Sequence, residues 1–176
     1  MFKEKFDLNL DFLKMKSPHL IGVDISSSSV KMVELSMSNK GNQTYRIERY
    51  AIEPLPDDAM LEGGIVNLEV VSDCMQRGWK RMGTRRKNVA LALPVTDVIT
   101  KKIIVPAGQR EDDLIFQVEN EASQYIPFPL DEIDLDFQIV KPVSDGADEV
   151  EVLIAASRKE KVEDRVAAAL SAGLKA

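Results

Sequence analysis

The chain has 176 residues, of which 44% are hydrophobic and 30% charged, and this is typical of a folded protein with one medium domain or two small lobes. Its formal net charge of −6 does not favour nucleic acid as a partner. Cys74 and His19 are the only residues of their types, which excludes an intrachain disulfide and leaves no Cys or His partners for a zinc site. No Ser-His or Cys-His catalytic pair is visible in the sequence.

Residues 1–18 are expected to form a flexible leader. Lysines are interspersed there with apolar residues, namely Lys3, Lys5, Lys14 and Lys16 with Phe2, Phe6, Leu8, Leu10, Phe12 and Leu13. The charges interrupt any apolar core, so the segment is not a secretory signal. Terminal segments of this kind are usually poorly ordered, and an amphipathic anchor lying on a membrane surface is the alternative.

Residues 19–96 are predicted to form a first subdomain. Three strands over 19–25, 30–36 and 44–52 are separated by short polar turns, which indicates an antiparallel meander. Asn67 is a candidate N-cap for a helix with apolar residues at helical spacing, and Gly83 is a natural stop. Residues 89–93 then form a short apolar strand, for which we expect burial on both faces.

Residues 97–157 are predicted to be an inserted small subdomain. A strand over 98–105, a helix of about 15 residues beginning at Glu111, and strands over 135–140 and 150–156 follow one another. So small a unit buries little by itself, and we expect it to rest on the first lobe.

Residues 158–176 are predicted to be a helix that returns to the first subdomain. Ser157 is its candidate cap, and Val162, Val166, Ala169 and Leu170 form its buried face. The chain ends where a further strand is expected, so we expect it to be truncated before a second lobe. The predicted fold class is α/β, in a mixed α+β arrangement.

The first turn carries the clearest candidate chemistry. Small residues between two strands allow backbone N–H groups and hydroxyls to converge on an anion. An aspartate at the end of the first strand can hold the hydration shell of Mg²⁺, and a lysine can contact a phosphate. The candidate residues are Asp24, Ser26, Ser27, Ser28, Ser29 and Lys31. Serine-rich turns are more often only turns.

The order of elements is similar to that of actin-like proteins, whose first lobe is ribonuclease H-like. More specifically, the chain resembles the PilM family of type IV pilus assembly proteins, which are related to FtsA. The resemblance covers residues 19–174, and its matching segments are 21–35, 64–67, 98–101, 106–108 and 121–130. It implies that the inserted subdomain is the strand-helix-strand-strand unit of FtsA. Many actin-like proteins have glycine where this chain has Ser26.

The resemblance also implies a function. It implies a cytoplasmic, ATP-binding scaffold, peripheral at the inner membrane, that recruits the N-terminal tail of PilN and other pilus assembly proteins. ATP and Mg²⁺ would lie between two lobes, with Asp24 holding the metal through water. The rest of that site is expected beyond residue 176, so we expect this chain to bind no nucleotide and to have no ATPase activity. The alternatives are an ATPase that drives pilus assembly and, less favoured, a small-molecule kinase of the same fold.

A second candidate surface follows the predicted helix of the inserted subdomain. An extended peptide would enter a groove between the lobes, with walls that include Gln124, Tyr125, Ile126, Phe128, Pro129 and Leu93. Alternatively, Tyr125 and Ile126 only close the end of the small core. Truncation would also uncover apolar surface near residues 89–93 and the last helix, so we expect self-association.

Overall fold

The computed structural model describes residues 20–38, 44–142 and 148–176, so the predicted leader over 1–18 lies outside the described residues. The chain divides into two compact units. The first unit contains the residues up to Ala92 together with Ala168–Ala176, and the second contains Leu93–Ala167. The sequence analysis placed the inserted subdomain at residues 97–157. The second unit begins a few residues earlier, at Leu93, and ends ten residues later, at Ala167.

The first unit is built on a four-stranded sheet. Its strands are β1 (Ile21–Ile25), β2 (Ser29–Ser38), β3 (Thr44–Pro54) and β6 (Val89–Leu91), and a small hairpin is formed by β4 (Met60–Leu61) and β5 (Gly64–Ile65). The strand order is β3-β2-β1-β6, and β6 is parallel to β1. Strands β1, β2 and β3 pair antiparallel, which confirms the predicted meander.

Helix α1 (Leu68–Met82) covers one face of this sheet, and both of its predicted end signals are confirmed. The Asn67 side chain accepts a hydrogen bond from the Val70 amide at 3.2 Å. Gly83 ends the helix with a φ of 62°, a conformation that glycine adopts without strain. The helix approaches the sheet closely at Gly78, where a Cβ atom would lie 3.2 Å from the sulfur of Met32.

The second unit contains the predicted succession of strand, helix, strand and strand. These elements are β7 (Val98–Pro106), α2 (Glu111–Tyr125), β8 (Ile133–Pro142) and β9 (Glu149–Arg158). The sheet order is β7-β9-β8, and both pairs are antiparallel. Helix α2 covers one face through Leu114 and Val118, which pack with apolar residues of the sheet. Strand β9 therefore lies between β7 and β8.

Helix α3 (Lys159–Ser171) corrects two details of the prediction. Ser157 does not cap it, because this residue belongs to β9 and its hydroxyl donates a hydrogen bond to the Asp97 carbonyl at 2.8 Å. Leu170 is 58% exposed, so it is not part of the buried face. The residues of the C-terminal segment that enter the core of the first unit are Ala168, Ala169, Ala172 and Leu174.

Strand β6 also differs from its prediction. It ends at Leu91, and Val89 is buried whereas Ala90 is exposed, so the strand is covered on one face only. The end of the chain pairs beside it, since Lys175 forms an isolated parallel bridge with Asn88. The Val89 amide donates to the Lys175 carbonyl at 2.7 Å.

Candidate functional sites

The turn between β1 and β2 brings together all six residues predicted for phosphate and Mg²⁺ binding. The Ser26 amide and hydroxyl both donate to the Ser29 carbonyl at 3.0 Å, and the two hydroxyl oxygens lie 3.2 Å apart. Ser27 and Ser28 at the tip are exposed. The Leu55 amide donates to the Ser28 carbonyl at 2.8 Å, which ties the turn to the end of β3. The turn is therefore held by its own polar groups and by one neighbouring strand.

Asp24 and Lys31 face each other across this turn. They are paired in the β1–β2 register, and the Lys31 amino group donates to the Asp24 carboxylate at 3.2 Å. Both side chains are about half exposed, at 53% and 50%. One cation and one carboxylate, open to solvent beside exposed hydroxyls, fit a phosphate with a hydrated Mg²⁺. Among the described residues, no three His, Cys, Asp or Glu side chains cluster to bind a metal directly.

The sheet face that carries Asp24 and Lys31 is otherwise apolar and open. A depression of about 550 Å³ on this face is lined by residues of all four strands, including Val33, Ile47, Tyr50, Ile52 and Ala90. Tyr50 is 69% exposed and Ile47 61%. Exposed apolar surface was expected near residues 89–93 and the last helix, and the structure adds this exposed apolar surface on β2 and β3.

The second unit contains an apolar cavity of about 400 Å³. It lies where the end of α2 meets β7, β8, β9 and the start of α3. Its lining residues are Thr96, Asp97, Ile99, Ile126, Pro127, Phe128, Ile133, Ala156, Ser157, Arg158 and Lys161. Ile126, Ile133 and Ala156 belong to a small buried cluster, against which Ile99 and Phe128 pack while still partly exposed. The floor of the cavity is therefore part of the core of the unit.

Charged groups surround this apolar floor. The guanidinium of Arg158 lies over the Phe128 ring, 5.5 Å from its centre, and Lys161 of α3 also lines the cavity. On another wall, Asp97 is 3.6 Å from the guanidinium of Arg165, which is 1% exposed. The Ser157 hydroxyl donates to the Asp97 backbone carbonyl, which fixes that wall against β9. The cavity thus combines an apolar floor with two cations at its rim.

The residues predicted to bind a partner divide into two groups. Ile126 and Phe128 line the cavity, whereas Gln124, Tyr125, Pro129 and Leu93 are not among its lining residues. Ile126 is 7% exposed and belongs to a small buried cluster, which agrees with the alternative that it closes the end of the core. Tyr125 does not close the core, because it is 49% exposed and its ring lies 4.2 Å from the Lys101 amino group. Its role in partner binding stays a prediction.

Sequence reasoning missed most of the other lining residues. Asp97, Ile99, Ile133, Ala156, Arg158 and Lys161 come from four separate segments. They meet because β9 inserts between β7 and β8, and no local pattern in the sequence indicates that strand order. The run of Pro127, Phe128 and Pro129 is the one local signal for this cavity in the sequence, since prolines restrict the backbone on both sides of a partly exposed aromatic residue.

Comparison with known proteins assigns the chain to a family. The family model for the type IV pilus assembly protein PilM matches residues 22–176. The chain belongs to the PilM family. It is also similar to a solved chain described as "PilM-PilN type IV pilus biogenesis complex", with a TM-score of 0.77 and 30% identical residues. That alignment covers 89% of this chain and 45% of the other, so this chain spans about half the length of the PilM-type chain that it matches.

The PilM match confirms both the predicted family and the predicted fold class. The mixed α/β fold, with an actin-like first unit and a strand-helix-strand-strand second unit, is that of the PilM family. The family places the chain in type IV pilus assembly. Among the described residues, no helix is both long and apolar enough to cross a bilayer.

Proposed function

We propose that this chain recruits the N-terminal cytoplasmic tail of PilN through the cavity of its second unit. It would do so as part of an actin-like, ATP-binding scaffold on the cytoplasmic side of the inner membrane. The observation that carries the proposal is the cavity itself, an apolar depression with a cationic rim in a PilM-family chain. The similar solved chain comes from a complex that contains PilN.

The chemistry of the cavity suits a short extended peptide. Ile99, Ile126 and Ile133 offer an apolar floor to one or two aliphatic side chains. Arg158 and Lys161 at the rim donate to peptide carbonyls or to a carboxylate. Phe128 is held between two prolines and under the Arg158 guanidinium, so it loses little conformational entropy when a ligand binds. This preorganisation favours affinity in a small interface.

The nucleotide part of the proposal concerns the turn between β1 and β2. When a second lobe is present, the serine hydroxyls and backbone amides would hold a phosphate of ATP, Lys31 would neutralise its charge, and Asp24 would hold the waters of Mg²⁺. The exposure of Asp24 and Lys31 supports this role, since both groups are open to a ligand. Binding requires their mutual ion pair to open. An exposed pair of this kind contributes at most about 1 kcal/mol, so its loss is a small cost.

The test of PilN recruitment is titration of a labelled PilN tail peptide against the chain and its variants, followed by fluorescence anisotropy. Phe128→Ala is expected to weaken binding at least about thirtyfold, because truncating a central aromatic anchor typically costs about 2 kcal/mol or more. Phe116→Ala is the matched control. Phe116 is 66% exposed on α2 and does not line the cavity, so this variant should bind as the wild type does.

Circular dichroism must show that both variants are folded, because Phe128 also packs against buried residues. A folded Phe128→Ala chain that binds the peptide as tightly as the wild type would remove this cavity from the proposal. Tyr125→Ala, measured in the same series, decides whether the predicted surface extends beyond the cavity to the end of α2.

A further inference from the structure

The sheet of the first unit has two faces with opposite surroundings. On the face beneath α1 even two carboxylates are buried, since Glu34 is 2% exposed and Glu53 is 3% exposed. Each of them lies within 3.7 Å of two arginine side chains. The other face instead exposes large apolar side chains. We refer to six of these residues as the open sheet face: Leu35, Met37, Tyr45, Ile47, Tyr50 and Ile52.

The residue pattern of β2 and β3 produces this face. Val33, Leu35 and Met37 occupy alternate positions of β2, so their side chains point to the same side of the sheet. In the register with β3, Leu35 is opposite Ile47 and Val33 is opposite Tyr50, with a bulge between the two pairs. An antiparallel sheet face in contact with water normally carries polar residues. This face has the composition of one that packs against another layer.

The exposed area of this face is close to what a stable interface needs. Tyr45 and Tyr50 are 67% and 69% exposed, and Ile47 is 61% exposed. At about 200 Å² for each fully exposed side chain, the six residues together expose roughly 700 Å². The largest apolar patch on a typical monomer is only about 300–600 Å². A specific interface buries about 800 Å² on each partner, so two such faces together supply an interface of ordinary size.

The charges of this face also suit a copy of itself as the partner. Asp24 and Lys31 are the charged residues that line its depression, and they pair with each other at 3.2 Å. The depression therefore has no net charge, and two copies meet without repulsion between like charges. A neutral apolar surface also gives no electrostatic attraction to nucleic acid or to another strongly charged partner.

We propose that the open sheet face binds the same face of a second copy of this chain. Two antiparallel sheets then stack face to face about 10 Å apart, with the side chains of the two faces interdigitated. The contact is isologous, because the same residues serve on both partners, and it closes at a dimer. The inference goes beyond PilN recruitment and does not depend on it, since the face belongs to the first unit and the cavity to the second.

The test is sedimentation velocity of the 176-residue chain at increasing concentration. We expect a reversible dimer that does not grow further, and a dissociation constant that changes little with ionic strength, because apolar burial drives the association. Tyr50→Thr with Ile47→Thr keeps residues that favour strands and removes the apolar contact. This variant should raise the dissociation constant at least about 100-fold, because truncating one central side chain costs about tenfold or more and each substitution occurs twice in the dimer.

The matched control is Ile104→Thr with Phe116→Ala, which removes a similar apolar area from the second unit, where these residues are 58% and 66% exposed. It should leave the dissociation constant unchanged. A chain that stays monomeric up to about 0.1 mM overturns the proposal, since an interface of this size normally binds at micromolar concentration or below. Equal loss of association in the two variants, or a Tyr50→Thr, Ile47→Thr chain that dimerises as the wild type does, also overturns it. Circular dichroism confirms that each variant is folded.

Discussion

Replacing Glu34 with glutamine tests whether the buried carboxylates stabilise the first unit. Glu34 lies on the covered face of the sheet, between Arg49 and Arg86. Glutamine keeps the size of the side chain and removes its charge. The change therefore isolates the electrostatic part of the interaction from the packing of β2 beneath α1.

The structure sets the expected size of the effect. Removing one partner from a fully buried ion pair costs about 3–5 kcal/mol, whereas an exposed pair contributes about 0–1 kcal/mol. The Arg49 and Arg86 side chains are 46% and 35% exposed, so water solvates them partly once the carboxylate is gone. We expect a loss of about 2 kcal/mol. At a slope of about 1.5 kcal/mol per molar of urea, the midpoint of unfolding falls by roughly 1.3 M.

The assay is urea unfolding followed by tryptophan fluorescence. Trp79 is the single tryptophan, and it belongs to the first unit, so its signal reports the unit that contains the mutation. Glu48→Gln is the control, since Glu48 pairs with Arg46 at the surface of the same sheet and its loss should move the midpoint much less. Equal shifts in the two variants would refute the argument that burial makes Glu34 the more costly residue to neutralise.

Two further predictions concern the first unit. In a PilM-family chain that also has the second lobe, Asp24→Ala should weaken Mg-ATP binding measured by calorimetry, because the metal would lose the carboxylate that holds its waters. The 176-residue chain alone is expected to bind no nucleotide. Unchanged affinity in the longer chain would remove Asp24 from the site. The Ser36 hydroxyl and the Arg46 guanidinium lower the pKa of Glu48, so Ser36→Ala should raise that pKa in an NMR titration. The contribution of this hydrogen bond to stability is present above the ordinary glutamate pKa and is lost as the pH falls through the lowered value.

The sequence predicted best those features whose causes are local. Asn67 caps the start of α1 and Gly83 ends it, and both residues adjoin the helix in the sequence. Helix α2 begins at Glu111 as predicted, with three acidic residues in its first turn, where they favour the helix dipole. The serine turn depends mainly on the two strands it joins, so its six candidate residues lie together as expected.

Predictions failed where a distant segment competes for a residue. Ser157 has the side chain of a helix cap, but β9 continues through it and its hydroxyl bonds to Asp97, 60 positions earlier in the chain. Leu170 has the apolar character of a core residue, yet the interior is filled by the smaller Ala168, Ala169 and Ala172. In both places, packing against residues that are distant in the sequence decides the role of the side chain. A local sequence pattern carries no information about those distant residues.

By itself, the sequence determined the family, the kinds of elements and their order, and the serine turn between β1 and β2, because each depends on residues that are near one another along the chain. Only the tertiary structure decided where the cavity lies and which charges are buried. The cavity exists because β9 lies between β7 and β8 and brings Asp97, Phe128 and Arg158 together. Glu34 and Glu53 are buried because α1 packs across β2 and β3, and their arginines come from positions up to 52 residues away. Contacts over such separations follow from how the sheets and helices pack, and that packing depends on the whole chain.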